Sequence, residues 1–325
     1  MNARPKGKRR GADGAQTKRW FRRSRNPGKP QDQSSLIGHH WTTPYLLSGP
    51  AVFMVCALLA FPVFYAAWGS LFDSEFIGGP QEFVGVDHYK NLFTDGDFLW
   101  SMSRTAIFVG GCLLLGISLA LFFAFALNKA LGGLRFLRGL TIVPYLVSGV
   151  AAAVMFRLVF NEDFGWVNRG LGLFGIEGPS WFVDPTLAMV TVIVAQVWTD
   201  LPLAVLLILG GLQTVDRSLL DAADVDGATG WQRAWYVSIP LVIPQIVLAT
   251  VWFSYSTLTA LGVVLALTGG GPLDATRTLS VALYETAFRQ FETNEALAIV
   301  IVVLALNAVL TFLYVTLARR YDIGD

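Results

Sequence analysis

Histidine and cysteine are scarce in this sequence. Three histidines (His39, His40 and His88) and two cysteines (Cys56 and Cys112) are spread over 325 residues. None of them stands at the spacing of a metal site, and two cysteines cannot make a disulfide framework. Both cysteines fall inside apolar runs, where a small buried thiol is the expected role. Gly-x-x-x-x-Gly-Lys-Ser/Thr is absent, so the glycine-rich TGGGP at 268–272 reads as a turn and not as a phosphate cradle. Charge is sparse too, at 14% of residues against about 25% in soluble domains. No acid–base pair or metal cluster stands out, so no catalytic residues and no metal ligands are expected.

What fills the chain is apolar residue, 54% of the total, with a mean hydropathy of +0.54. It comes in long blocks. Runs of about 20 apolar residues are what a helix needs to cross a hydrocarbon core of roughly 30 Å. Reading such runs against their breakers gives six, near 46–71, 104–127, 140–160, 186–210, 242–268 and 296–318. The expected fold is an all-α polytopic membrane protein with six transmembrane helices.

The charges orient it. Residues 1–43 hold eleven Lys/Arg against Asp13 and Asp32. Such a run can bind nucleic acid, but beside a first span it reads as a disordered cytoplasmic tail, with no nucleic-acid partner expected. The first apolar run is long enough to span and lacks a small-residue cleavage pattern, so it is not read as a cleaved signal. Lys129, Arg135, Arg138, Arg217, Arg233, Arg319 and Arg320 fall on the same side as the tail. Acids such as Asp73, Glu82, Asp95, Glu162, Asp184 and Glu292 fall on the other. Both termini are therefore expected in the cytoplasm of a cell-membrane protein. The organisation is a basic tail (1–43), a transmembrane domain (44–320) and a short cytoplasmic end (321–325).

One polar insert interrupts the apolar pattern between spans four and five: DAADVDGATGWQRAWYVSIPLVIP, residues 221–244. Ser218-x-x-Asp221 reads as a capping box, with Asp221 in the first turn, where the helix dipole favours an acid. A helix of about nine residues, ~13 Å, would end at Gly227 in a left-handed conformation. Thr229-x-x-Gln232 offers a second capping box, followed by the apolar Trp231, Ala234 and Trp235; Pro240 and Pro244 mark the entry to span five. The insert is thus a helix–glycine–helix elbow near the inner membrane surface. An amphipathic loop resting on lipid would carry more Lys/Arg. A short helix with small residues at Ala222, Ala223 and Ala228 suits docking in a groove of a cytoplasmic partner better.

These residues carry a resemblance. LLDAADVDGATGWQRAWYVSIPLVIP resembles the EAA loop of permease subunits of binding-protein-dependent ABC importers: Asp221, Ala222, Ala223 and Gly227, then Ile239-Pro240. FVGVDHYKNLF after span one, VWTDLPLAVLLILGGLQTV before the loop and LTGGGPLDATRTL after span five are similar to the carbohydrate-importer branch of that family, the maltose-transporter type. Together they cover most of residues 45–320. The resemblance implies an ATPase-coupling loop at about 216–240, with Asp221, Ala222, Ala223, Asp226 and Gly227 as its contacts. The family usually has Glu where this chain has Asp221, which keeps the charge one methylene shorter.

Asp200 lies well inside span four, where an isolated carboxylate is costly and should face a cavity or a partner. Gln196 stacks on it one turn away, Thr199 is adjacent, and Pro202 removes a backbone donor. By resemblance, solute contacts fall on Gln196, Thr199, Asp200 and Leu203, and in span five on Phe253, Ser256 and Thr257. Arg157 in span three is the intramolecular charge to test against Asp200, although its depth suggests snorkelling to the outer surface. Asp200 could instead pair with a second subunit.

The expectation is a non-catalytic permease subunit of an ATP-driven importer for a sugar, a di- or oligosaccharide. It would need a second homologous permease, two ATPase subunits that bind ATP and Mg, an extracytoplasmic solute-binding protein and the lipid bilayer; this chain itself would hold no cofactor. A glycerol phosphate is the alternative solute. A proton-driven secondary transporter, with Asp200 as carrier, is the alternative of another class, but it predicts an internal repeat that the sequence does not display.

Overall fold

Apolar runs become helices because a backbone in hydrocarbon must satisfy its own hydrogen bonds. The structure, a computed structural model, describes residues 43–74, 81–128 and 139–319. The basic tail, Glu75, His39, His40, Lys129, Arg135, Arg138, Arg320 and the 321–325 end lie outside them. The chain falls into two units, 1–58 and 59–325, with the boundary inside the first helix.

In chain order the elements are α1 (Thr43–Gly69), a two-residue ladder of β1 (Phe72–Asp73) with β2 (Glu82–Phe83), α2 (Asp87–Thr94), α3 (Gly96–Asn128), α4 (Gly149–Val159), α5 (Trp166–Gly172) and α6 (Pro185–Thr214). After them come α7 (Arg217–Val225), α8 (Gly230–Leu241), α9 (Ile243–Leu258), α10 (Gly262–Leu267), α11 (Leu279–Glu285) and α12 (Thr293–Arg319). The antiparallel ladder pairs Phe72 with Phe83. Among the described residues it is a small exception to a mostly helical structure.

Among the described residues, four helices are long and apolar enough to cross a membrane: Ser48–Gly69 of α1, then α3, α6 and α12. Two further helix pairs are apolar and long enough only when taken together, and each is sharply bent. Gly139–Leu146 and α4 meet at 98°, and α8 and α9 meet at 73°. The sequence reading of 140–160 and 242–268 as unbroken runs is corrected here. Pro144 opens a 3-10 turn and Ser148 caps α4 by accepting from Ala151 N–H at 3.3 Å. Inside 242–268, α9 ends at Leu258, and α10 follows as a separate element after Thr259–Leu261. Apolar content runs through such breaks unchanged, so hydropathy misses them.

Helix α6 is the central element, packed against α3 and α9. The close approach of α3 follows from a row of small residues one turn apart: Cys112, Gly116, Ala120 and Ala124, the Cys and both Ala fully buried. Small residues let backbones approach where lipid supplies no hydrophobic drive between helices. Gly116 shows the limit, since a Cβ there would stand 2.5 Å from the Phe253 ring. Cys56, expected buried, is exposed on α1, whereas Cys112 is buried as expected.

Polar bonds fasten one end of the bundle. Asn294 of α12 donates through Nδ2 to Phe72 O at 2.7 Å and Gly69 O at 3.2 Å. His88 Nε2 lies 2.9 Å from the same Phe72 carbonyl, and the Ser70 and Tyr89 hydroxyls are 2.7 Å apart.

Candidate functional site

Two polar constellations sit on this apolar scaffold. The first is built by α6. Asp184 caps its start, accepting from Thr186 and Leu187 N–H at 2.8 and 2.9 Å, and the helix continues through Pro202 to Thr214. Pro202 has no N–H, so the Trp198 carbonyl loses its in-helix partner in the middle of the span. One turn earlier, Gln196 donates through Nε2 to Asp200 Oδ2 at 2.7 Å, and both side chains are buried. Ser256 of α9 comes up from the facing helix, its hydroxyl 3.5 Å from the same Nε2.

The structure therefore brings Gln196, Asp200 and Ser256 together. Thr199 is half-buried and bonds back to its own helix, at 3.0 Å to Ala195 O. Leu203 lines a neighbouring apolar groove of about 780 Å³ between α6, α9 and α12, with Trp252, Tyr255 and Phe312. Phe253 and Thr257 lie elsewhere: Phe253 is fully buried against Gly116 of α3. Thr257 bonds back to Phe253 O at 2.7 Å. Arg157 is exposed in the last turn of α4, and the ion pairs among the described residues do not include one from it to Asp200.

Sequence reading passed over two further polar groups here. Ser254 Oγ and Trp252 Nε1 are buried without a hydrogen-bond partner among the described residues, as is Gln196 Oε1. The dipeptide WF followed by SYS in an apolar run was the available signal. Chemically, a carboxylate, an amide and a hydroxyl on facing helices next to aromatic surface can take a polyhydroxylated solute, with hydroxyls on the acceptors and carbon faces on the rings.

The second constellation is the elbow. Helix α7 is capped by Asp216, which accepts from Ser218 N–H at 2.9 Å. This corrects the expected Ser218–Asp221 box: the helix begins two residues earlier than that box requires, at Arg217. The Ser218 bonds hold the Asp216 carboxyl below the ordinary aspartate range. Nine residues on, the helix closes in a Schellman arrangement, with Gly227 N–H on Asp224 O at 3.1 Å and Ala228 N–H on Ala223 O at 3.0 Å. Gly227 has φ +79°, as its glycine anticipated. The Thr229–Gln232 capping box is present, with Thr229 N–H on Gln232 Oε1 at 2.8 Å and Gln232 N–H on Thr229 Oγ1 at 3.3 Å.

Arg233 then ties the two arms, donating to Asp224 Oδ1 at 2.7 Å. Nothing in the sequence pattern marked this pair, which is nine residues apart. Asp221, Ala222, Asp226 and Gly227 are exposed and Ala223 is half-buried. The elbow thus presents an acidic, small-residue surface on a short, well-capped helix.

A chain with several long apolar helices and a structured polar elbow between two of them has the pattern of a multi-pass membrane protein. It belongs to the family of binding-protein-dependent transport system inner membrane components, which it matches over residues 112–323. SmoG of Agrobacterium fabrum, a sulfoquinovosyl glycerol transport system permease protein, is 31% identical over 85% of this chain and 90% of its own. UgpA of Salmonella typhimurium, an sn-glycerol-3-phosphate transport system permease protein, is 32% identical over 86% and 96%. MsmF of Streptococcus mutans, a multiple sugar-binding transport system permease protein, is 28% identical over 89% and 98%. Among solved structures, a bacterial ABC transporter involved in import of the acidic polysaccharide alginate matches with a TM-score of 0.72 at 20% identity. It covers 86% of this chain and 96% of its own, a likeness of fold.

Proposed function

We propose that this chain is one permease subunit of an ATP-driven importer for a sugar, a di- or oligosaccharide. Its partners are a second homologous permease, two ATPase subunits and an extracytoplasmic binding protein. In this reading the chain crosses the membrane six times, the third span being the pair bent near Ser148 and the fifth beginning at α9, with both termini and the elbow on the cytoplasmic side. Residues 1–43 are its tail and 44–320 its transmembrane domain. It performs no chemistry and holds no cofactor; ATP and Mg bind the partner subunits.

The observation that carries the reading is the elbow. A nine-residue helix, capped at both ends and exposing Asp221, Ala222 and Asp226, gains nothing from lipid and has the size of a docking element. Closure of the ATPases would move α7, and the Arg233–Asp224 tie would pass that motion to α8 and so to α9. Solute would cross near Asp200, with Gln196 and Ser256 as co-acceptors, Thr199 and Leu203 flanking, and Phe253 and Thr257 supporting the site from the α3 side.

A sugar is favoured because the buried polar groups are a carboxylate, an amide and a hydroxyl, and because relatives such as MsmF carry sugar in their names. The second reading, a glycerol phosphate, rests on the likeness to UgpA. A buried Asp200 without an ion-pair partner among the described residues would repel a phosphate. The test is ATPase activity of the reconstituted complex in lipid, with binding protein and either neutral sugars or glycerol phosphates. Stimulation by a sugar supports the reading, stimulation by a glycerol phosphate alone replaces the solute, and uptake by this chain alone on a proton gradient would overturn it.

A further inference from the structure

The elbow has a second face that coupling does not use. On α8, Trp231, Trp235 and Tyr236 are 74%, 53% and 74% exposed. The two indoles, one turn apart, stack with ring centroids 5.7 Å apart and planes 16° from parallel. Further along the same helix Ser238 is buried. Three large exposed aromatics so close together need a covering surface.

The geometry says which one. α8 leads directly into the apolar helix α9, and the two are bent by 73°. A helix bent that far from a membrane-crossing one runs close to the membrane plane, at the depth where the span begins. Its twelve residues reach about 18 Å. Tryptophan and tyrosine concentrate at that depth because the ring is apolar and its N–H or O–H is not. Charge points the same way. The segment 230–241 contains no Asp or Glu, and its one cation, Arg233, is turned back onto Asp224. All the elbow's acids (Asp216, Asp221, Asp224, Asp226) lie on α7 or its ends, where an anionic lipid surface would repel them.

We propose that α8 is a membrane-interface anchor: Trp231, Trp235 and Tyr236 sit among lipid headgroups where α9 enters the bilayer, while α7 projects into water. The anchor fixes the fulcrum about which the elbow turns. It holds whether or not α7 docks on an ATPase.

The test uses the full complex in lipid nanodiscs, in a Cys56→Ser, Cys112→Ser background, with spin labels placed one at a time by W231C, W235C, Y236C and D221C. Collision with oxygen and with a water-soluble nickel chelate is measured at each. The expected oxygen-to-nickel accessibility ratio at 231, 235 and 236 is several-fold above that at 221. A ratio at those positions no higher than at 221 overturns the anchor, as does shielding from both reagents that disappears when the partner subunits are removed. Should the cysteine variants fail to assemble, the unaltered complex is photolysed with a lipid carrying a diazirine in its headgroup. Adducts on the 230–241 peptide support the anchor, and their absence there with adducts elsewhere overturns it. The label at 221 reports α7 separately: occlusion only when ATPase subunits are present speaks for coupling, and its failure would leave the anchor standing.

Discussion

Gln196 and Asp200 form a buried pair inside one helix, the amide donating to the carboxylate at 2.7 Å across a single turn. The pair faces Ser256 on α9, and it sits just before the proline that frees the Trp198 carbonyl. An intrahelical donor keeps the carboxylate satisfied without an ion pair, so its remaining lone pairs stay available to a transient guest.

Asp200→Asn keeps the shape and removes the charge. A hydrogen bond to a charged group contributes about 1.5–3 kcal/mol, and each ~1.4 kcal/mol is tenfold in affinity. The half-saturating solute concentration for transport should therefore rise roughly 10- to 100-fold, with the complex still assembled. Gln196→Leu should lower the thermal unfolding temperature more than Asp200→Asn does, because it leaves a buried carboxylate without its donor. Equal, negligible effects of both on transport would move the solute path away from this pair.

Gly116→Ala tests how tightly α3 meets α9. The new methyl would stand 2.5 Å from a Phe253 ring that is itself fully buried, so the ring cannot swing aside. Overpacking of this kind costs about 1–3 kcal/mol. Gly111→Ala meets only the Cδ1 end of Ile193, at 2.6 Å, and a methyl terminus can rotate away. Melting of the purified chain should fall clearly for Gly116→Ala and less for Gly111→Ala, with Phe253→Leu restoring part of the first. The same contact explains why Phe253 reads as a packing residue beside the site.

Arg233 and Asp224 are 36% and 50% exposed. Exposed pairs contribute only about 0.2–1 kcal/mol, so Arg233→Ala should leave global stability nearly unchanged. If the pair transmits motion between the arms, solute-stimulated ATPase activity should nevertheless drop several-fold while basal activity persists. The reversed pair, Asp224→Arg with Arg233→Asp, should recover much of the loss. Unchanged coupling in Arg233→Ala would show that the arms move independently.

Much of this was readable in the residues, and the failures have physical causes. The long apolar helices and the helix–glycine–helix of the elbow follow from hydropathy and from glycine and capping chemistry, which are local. Gly227 and the Thr229–Gln232 box needed only their own neighbours. The breaks near Ser148 and at Thr259–Leu261 carry no hydropathy signal, because the flanking residues stay apolar. The Asp224–Arg233 pair and the Phe253–Gly116 contact depend on where two helices meet. Asp200 was found because one carboxylate in hydrocarbon is conspicuous; Trp252 and Ser254 were missed because an indole and a hydroxyl are ordinary in a span.

Asp216 and Asp221 separate folding from docking. Had Ser218 and Asp221 formed the cap, any change at Asp221 would have unwound α7, and lost coupling would have said nothing about contact. With Asp216 as the cap, Asp221 is free of that duty and exposed. Asp221→Ala should leave α7 folded yet reduce solute-stimulated ATPase activity at least several-fold, and Asp221→Glu, which lengthens the same charge, should retain it. Asp216→Ala should fray the helix, since the cap satisfies an otherwise unpaired N–H, and should weaken coupling together with hydrogen-exchange protection across 217–225. The Asp216 carboxyl is held below its ordinary range in the folded state, so its capping is complete at neutral pH and fades as pH falls through that lowered value. Asp216→Asn caps without titrating, so its protection across 217–225 should stay level on acidification where that of the native chain declines. Loss of 217–225 protection in Asp221→Ala would return that residue to the structural role the sequence first suggested for it.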